Sequence, residues 1–580
     1  MKKKVSDIVV EFFESKKVKD IFLLSGGMMM HLLDSLGKSK KINYVCNHHE
    51  QASIFAAESY SRVTNKIGVC FATSGPGSTN TVTGLASAWL DSTPLFVITG
   101  QSSSKMTSRG VGIEELRMMG TFEVDIVSIV KPITKYSYFI NDPILILFHL
   151  EKAYQEAVSG RPGPVLLDIP LDIQGALVDE EKLIKFQPEL KEIIPNNYFD
   201  TIKIEIEKSK KPLIIAGHGI RVSNQVSQFL KMIKKLNVPV VSTQLANDVI
   251  PYENDLFIGK VGLRGDRAGN YAVQNADLII TLGSSLHITT TGYNIQNFAK
   301  NAKVINIDID DGLIKKNNSI VDIQFKINLK DFFEIILNSQ ISNSKANWNN
   351  ELINLKYKFQ VICEPHTKID KTVNTYFLVD FLSKNLREGN VIIYDSGSLY
   401  YIIGQTFQSK LGQKIVAPGG LGTMGYALPA STGASIAFPS KNIICLVGDG
   451  SVHTNIHELA VISHHKLNIK IIIVNNCGYA SIRNTQNSFM EGNIVASSSE
   501  SGVEFPNWKD IAKSYSIPYL LIHDEKELEN TLNKNLNNDG PLLFEVIVPP
   551  VVELMPSVVS TKNKSGTFKS DDLDNMSPKL

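Results

Sequence analysis

The chain has 580 residues, 59 of them basic and 58 acidic, for a net charge of +1. That length is too great for one hydrophobic core and predicts about three domains. The charge balance argues against a nucleic-acid or membrane-surface protein, and no run approaches the ~20 apolar residues of a membrane span.

The N-terminal stretch MKKKVSDIVVEFFESKK lacks the apolar region of a signal peptide and carries Asp7, Glu11 and Glu14 at helical spacing. Residues 1–178 form a first domain, with strands expected in KIGVCFAT, PLFVITG and GPVLLDIP and a small-residue helix in NTVTGLASAWLDS between the first two. A charged stretch from Val178 to Asn197 reads as an exposed crossover. A second domain, 198–340, has strands in KPLIIAGHGI, VPVVSTQLAN, ADLIITLGSSL and AKVINIDID, each running into Gly, Asn or acidic residues. Polar sequence around Asn338–Asn354 separates it from a third domain, 371–556, with strands in NVIIYDSG, NIICLVGDG, IKIIIVNN and PLLFEVIVPP. A polar tail, 557–580, completes the chain. Strands alternating with helices predict an α/β protein with three doubly wound parallel sheets, each covered on both faces. Cys46, Cys70, Cys363, Cys445 and Cys477 make no CxxC pair, which predicts reduced, mostly buried thiols in a cytoplasmic protein.

The chemistry concentrates in VGDGSVHTN. Asp449 stands between Gly448 and Gly450 where an apolar run ends. In such sheets ligands bind beyond the carboxyl ends of strands, and glycines let the backbone approach them closely. Ser451 and the next amides suit a phosphate, and the carboxylate suits a hard divalent cation such as Mg²⁺. A second oxygen ligand is available at the next strand end, where, with 24 residues intervening after Gly450, the chain reads Asn475-Asn476. That span fits one crossover helix.

GDG followed at this spacing by NN resembles the thiamine-diphosphate (ThDP) enzymes. The resemblance implies that Asp449, Asn476 and the Gly478 carbonyl hold Mg²⁺. It also implies that Gly397, Ser398, Gly448, Gly450, Ser451 and Tyr479 surround the diphosphate. GGLGTMGYALPA resembles the family loop in which Met424 wedges between the two cofactor rings and the Gly422 carbonyl accepts from the amino group. NHHEQASIFAAESY and TSGPGSTN resemble the first domain of the acetolactate synthase branch. There Glu50 exchanges a proton with the aminopyrimidine and starts catalysis, and the loop around Pro76 lies near that ring. Glu50 and Asp449 belong to different domains, and in this family they come from opposite chains, which implies a dimer or a dimer of dimers.

GLASAWLDSTPLFVITGQ and FEVDIVSIVKPITKYS extend the likeness to acetolactate-synthase-type large subunits over nearly the whole chain. It implies a carboligase that decarboxylates pyruvate or a similar 2-oxo acid and adds the two-carbon carbanion to a 2-oxo acid or keto-sugar acceptor. The alternatives are a simple 2-oxo-acid decarboxylase and a non-catalytic protein on the same fold. Three departures bear on the acceptor. Phe122 stands where the family carries Gln, Ser398-Leu399 replace Gln-His, and GYASIRNTQNSFM replaces a tryptophan-containing stretch, so that Phe122, Tyr479, Ile482 and Gln486 shape a different pocket. This last stretch and the tail resemble synthase-like proteins of surface-polysaccharide biosynthesis, where the acceptor is a nucleotide-linked keto sugar. The middle domain lacks the arginines that hold a non-redox FAD in acetolactate synthases. GLRGDRAGN and GHGIR are its candidate nucleotide contacts, and FAD or no ligand are both open.

Overall fold

The computed structural model describes residues 2–113, 115–188, 198–341, 345–362, 366, 371–562 and 568–579. Three six-stranded sheets succeed one another along the chain, and every neighbouring pair within them is parallel. The first contains β1 (Asp20–Leu23), β2 (Asn43–Cys46), β3 (Gly68–Ala72), β4 (Leu95–Gln101), β5 (Tyr136–Phe139) and β6 (Pro164–Pro170) in the order 2-1-3-4-6-5. The middle sheet has β7 (Pro212–Ala216), β8 (Val240–Ser242), β9 (Phe257–Lys260), β10 (Leu278–Leu282), β11 (Lys303–Asp308) and β12 (Ile323–Lys326) in the order 9-8-7-10-11-12. That is the doubly wound dinucleotide-binding order. The third has β13 (Val391–Tyr394), β14 (Lys414–Val416), β15 (Ile443–Gly448), β16 (Ile469–Asn475), β17 (Tyr519–Ile522) and β18 (Leu542–Ile547) in the order 14-13-15-16-18-17. The first and third sheets therefore share one topology.

The central strands are apolar because helices cover both faces. Ile443 to Val447 and Ile469 to Ile473 are buried throughout. Five helices position the residues that carry chemistry: α1 (Glu50–Thr64), α2 (Ser398–Thr406), α3 (Ala427–Ala437), α4 (Asp449–Thr454) and α5 (Ala480–Phe489). Helix α1 packs against α3 and so joins the first sheet unit to the third. A Cβ on Gly433 would lie 1.9 Å from the Ala56 carbonyl oxygen, so only glycine permits this approach. Phe55 of α1 lies edge-on to Tyr426, with ring centroids 5.1 Å apart, and belongs to the core of the third sheet.

Several expectations change. Val178 and Asp179, read as the start of an exposed crossover, belong to the strand Leu177–Asp179, which pairs antiparallel with Lys2–Lys4 and buries Val178; residues 189–197 of that stretch lie outside the described residues. The polar stretch near Asn338–Asn354 contains the helix Ala346–Lys358, whose Trp348 is buried and donates to the Pro212 carbonyl at 3.1 Å. The polar tail is no free tail. Val558, Leu573 and Met576 are buried in the core of the middle sheet, and the Asn270 amide donates to the Leu573 carbonyl at 2.9 Å. The thiols divide evenly, since Cys70 and Cys445 are buried while Cys46 and Cys477 are exposed; Cys363 lies outside the described residues. Among the described residues no helix is long and apolar enough to cross a membrane.

Candidate functional site

In the third sheet the order reverses between β13 and β15, so the chain leaves these neighbours in opposite directions and opens a crevice at their carboxyl ends. Gly397 and Ser398 lie at one lip, Gly448 to Ser451 at the other. Asp449 opens α4 and is 1% exposed. One carboxylate oxygen accepts from the Gly450 amide at 2.8 Å; the other accepts from the Asn476 amide at 3.0 Å and the Gly478 amide at 3.1 Å. Burial pushes this carboxyl up to about 6, although the three amides and the nearby Arg483 cation pull the other way. Gly478 has φ +142°, and a Cβ there would lie 2.4 Å from the Ser497 carbonyl oxygen. Tyr479 closes over Gly450, where a Cβ would meet its ring at 2.3 Å. Asn475 turns away and donates to Glu545 at 2.7 Å. The Ser398 and Thr423 hydroxyls are buried without a hydrogen-bond partner among the described residues. A carboxylate, an amide oxygen and a glycine carbonyl form an oxygen donor set suited to Mg²⁺, and two orphaned hydroxyls suit phosphate oxygens. The residues present fit a magnesium diphosphate.

The loop bearing Gly422 and Met424 is shaped from two sides. Asp91, from the first sheet unit, accepts from the Gly419 amide at 3.1 Å and the Gly420 amide at 2.7 Å. Arg62 of α1 holds Asp91 at 3.0 Å and donates to the Ala417 carbonyl at 2.7 Å. At the far end the Gly425 amide donates to Asp395 at 3.1 Å, and Asn455 donates to the Gly425 carbonyl at 2.8 Å. Between these anchors Gly422 and Gly425 take φ of +70° and +78°, and Met424 stands 37% exposed.

Glu50 opens α1, with His49 capping the helix by accepting from the Gln51 amide. Glu50 is 5% exposed and accepts from Asn80 at 3.0 Å. Gly77 leaves room for it; a Cβ there would lie 3.1 Å from a Glu50 oxygen. Pro76 starts the short helix Pro76–Thr79, and Phe122, at φ +58° and 66% exposed, sets its carbonyl against Gly75. Among the described residues no Glu50 hydrogen bond reaches the Asp449 group. The link between the two is indirect. Asn47 and the His48 amide, just before α1, donate to buried Glu458 at 2.7 and 2.8 Å, and burial pushes that carboxyl up to about 7.

Of the acceptor candidates, Ile482 is exposed and Gln486 already donates to the Val495 carbonyl and accepts from Ser497. Sequence reading passed over Asn80, Asp91, Arg62, Glu458 and Arg483. Only Arg483 had a local signal, as the sole charged side chain between Asn475 and Phe489.

A second crevice, at the reversal point of the middle sheet, holds a cavity of about 800 Å³ lined among others by His218, Gly219, Ser284, Asp308, Lys316 and Gly420. Burial drives the His218 imidazole down to about 4, so it is neutral at physiological pH. In GLRGDRAGN the polar side chains already have partners. Asn270 is taken up by Gly262 and the tail, and Arg267 by the Gln360 and Lys579 carbonyls. In GHGIR, Gly219 lines the cavity, but Arg221 is held by Asp248 at 3.1 Å.

Three family models match in chain order: the thiamine pyrophosphate enzyme N-terminal TPP binding domain over residues 3–125, the central domain over 200–335 and the C-terminal TPP binding domain over 395–546. Thiamine pyrophosphate is ThDP. The chain is 33% identical to the acetolactate synthase large subunit of Lactococcus lactis, over 95% of this chain and 94% of that one. It is 31% identical to the chloroplastic acetolactate synthase of Arabidopsis thaliana, over 98% and 84%. With acetolactate synthase isozyme 1 large subunit of Escherichia coli the identity is 30%, over 95% of each chain.

Proposed function

Since the chain belongs to the thiamine pyrophosphate enzymes and, among them, to the acetolactate synthase large subunits, we propose that it is a ThDP- and Mg²⁺-dependent carboligase taking pyruvate or a similar 2-oxo acid as donor. The observation that carries this reading is the oxygen-lined group of Asp449, Asn476 and Gly478 at the crevice between β13 and β15, beside the unpartnered Ser398 hydroxyl. Asp449, the Asn476 side chain and the Gly478 carbonyl would hold the metal; Ser398 and the amides opening α4 would bind the diphosphate. ThDP, when bound, would supply a nucleophilic carbon and an electron sink for decarboxylation of the donor. The protein's part is to bend, orient and deprotonate. Met424, on a loop anchored at both ends, would pack against the bound cofactor and set its orientation. Glu50 holds a proton at the ring nitrogen, and Asn80 fixes its carboxylate.

Glu50 and Asp449 stand in different sheet units, with Glu50 held by Asn80 of its own unit, and we take the protein to be a homodimer or dimer of dimers in which Glu50 faces the Asp449 group of the other chain. Exposed Phe122 and Ile482 border the acceptor side, and we take the acceptor to be a 2-oxo acid or a keto sugar. Of the cations on the wall of the middle cavity, Arg161 pairs with Asp310 and Lys316 donates to the Ser285 and Leu286 carbonyls, which leaves Lys330, among the described residues, as the cation open to a nucleotide phosphate. Visible absorbance of the purified protein decides whether FAD is bound. The site of action is cytoplasmic. Mass spectrometry of products from pyruvate, with ThDP, Mg²⁺ and candidate acceptors including nucleotide-linked keto sugars, tests the proposal. Carboligated products support it; acetaldehyde alone means a simple decarboxylase, and no consumption of pyruvate or related 2-oxo acids refutes both.

A further inference from the structure

Arg483 lies in the first turn of α5 and is 5% exposed. Its guanidinium reaches three stretches of chain at once. Nη2 donates to the Asn476 carbonyl at 2.6 Å, the Asn476 side-chain oxygen at 3.0 Å and the Pro550 carbonyl at 2.7 Å. Nη1 donates to the Cys477 carbonyl at 2.8 Å and the Ser497 carbonyl at 2.9 Å, and Nε to Pro550 at 3.2 Å. A Cβ on Gly478 would lie 2.5 Å from Nη1, so the bare glycine and the guanidinium need each other's shape. Among the described residues no carboxylate pairs with Arg483 within salt-bridge distance. Its partners are oxygens of neutral groups.

The segment Asn476–Gly478 is therefore held from both sides. Its amides at 476 and 478 point to the Asp449 carboxylate, and its carbonyls at 476 and 477 point to the Arg483 cation. The anion on the N–H side and the cation on the C=O side hold the 477–478 peptide plane from both edges. The next plane, which carries the Gly478 carbonyl, is set by the Tyr479 amide donating at 3.0 Å to the same Ser497 carbonyl that Arg483 holds. The bond to the Asn476 side chain also settles which amide atom is the oxygen and where it stands. That oxygen has two acceptor positions, so one donor leaves the other open. Lysine could not substitute, because a single ammonium lacks the planar fork that reaches 476, 477, 497 and 550 together.

We infer that Arg483 is the positioning residue of the metal-binding loop, presetting Asn476 and Gly478 before any metal arrives and tying that loop to the 497 and 550 segments. The inference rests on the metal role proposed for Asp449, Asn476 and Gly478. Its test uses the full chain and the variants Arg483→Lys and Arg483→Met. The first readout is hydrogen exchange of the amides of residues 475–483 in metal-free protein. The wild type should be protected there, and Arg483→Lys should exchange about tenfold faster. The second is calorimetry of ThDP binding as Mg²⁺ is varied. The half-saturating Mg²⁺ concentration should rise about tenfold in Arg483→Lys, the scale on which a supporting partner of a metal ligand acts, with full stoichiometry regained at excess Mg²⁺. Wild-type exchange and Mg²⁺ demand in Arg483→Lys, both within about twofold, would overturn the inference. So would an unprotected loop in the wild type, which keeps the test decisive if Arg483→Met does not fold. If the wild type binds ThDP without Mg²⁺, the metal reading fails, while the exchange data still judge the loop.

Discussion

The junction of Arg62, Asp91 and the cofactor loop permits a quantitative prediction. Arg62 and Asp91 side chains are 6% and 1% exposed and 3.0 Å apart. Glu58, one turn before Arg62, is fully buried, and burial raises its carboxyl well above the usual range, so Asp91 is the charge that matters. In Arg62→Met the buried Asp91 loses its cation and the Ala417 carbonyl loses its donor. Breaking one side of a buried pair costs about 3–5 kcal/mol; because Asp91 keeps the Gly419 and Gly420 amides, we expect the lower end, about 3 kcal/mol. The damage should be local first, since those amides begin the Met424 loop. At 1.4 kcal/mol per decade, about 3 kcal/mol corresponds to roughly a hundredfold faster hydrogen exchange at Gly419 and Gly420. Mass spectrometry of peptides spanning 417–426 reads this directly, with urea unfolding as the global control. Acceleration below about threefold would refute the claim that Arg62 holds this loop.

Glu50→Gln keeps the shape and the Asn80 contact but removes the exchangeable acid; ThDP affinity by calorimetry should stay near wild type while kcat collapses, and equal kcat in the two proteins would disprove the role. Asp449 titrates from 3.8 unfolded to about 6 folded, so its contribution to metal-free stability is present below the unfolded value and lost as pH rises through about 6. Mg²⁺ with ThDP supplies the missing counter-charge, and the Tm gain they produce should be larger at about pH 7.5 than at about pH 5. Deleting residues 557–580 removes Val558, Leu573 and Met576, each contributing about 1.5–3 kcal/mol when fully buried. Trp348 shares their core, so its fluorescence should show the middle unit unfolding at lower urea; an unchanged midpoint would mean the tail is merely laid on the surface.

The strands legible in the sequence are the interior ones. Ile443–Val447, Ile469–Ile473 and Leu278–Leu282 are runs of apolar residues broken only by Lys470 and Thr281. The six edge strands, β2, β5, β9, β12, β14 and β17, and the four-residue β1 escaped notice. They are three or four residues long, and β2, with Asn43, Tyr44 and Cys46 exposed, has no apolar pattern. Asp449 and Asn476 stood out as an acid between glycines and an amide pair at neighbouring strand ends, and Glu50 through the resemblance of the stretch around it, although Asn475 of that pair proves structural. Asp91, Arg62 and Glu458 did not, because the contacts that make them matter, to Gly420, Ala417 and Asn47, lie hundreds of positions away and no local spacing encodes them. The tail misled because its polar residues outnumber the few apolar ones, Val558, Leu573 and Met576, that dock.

That docking also bears on how the protein is made. Asn270 completes its hydrogen bonds with a carbonyl 303 positions further along the chain. A ribosome that has finished the middle sheet has not yet released the side chains that seal it. The nascent unit must wait, with part of its apolar surface open to water or to a chaperone, until translation has passed Met576.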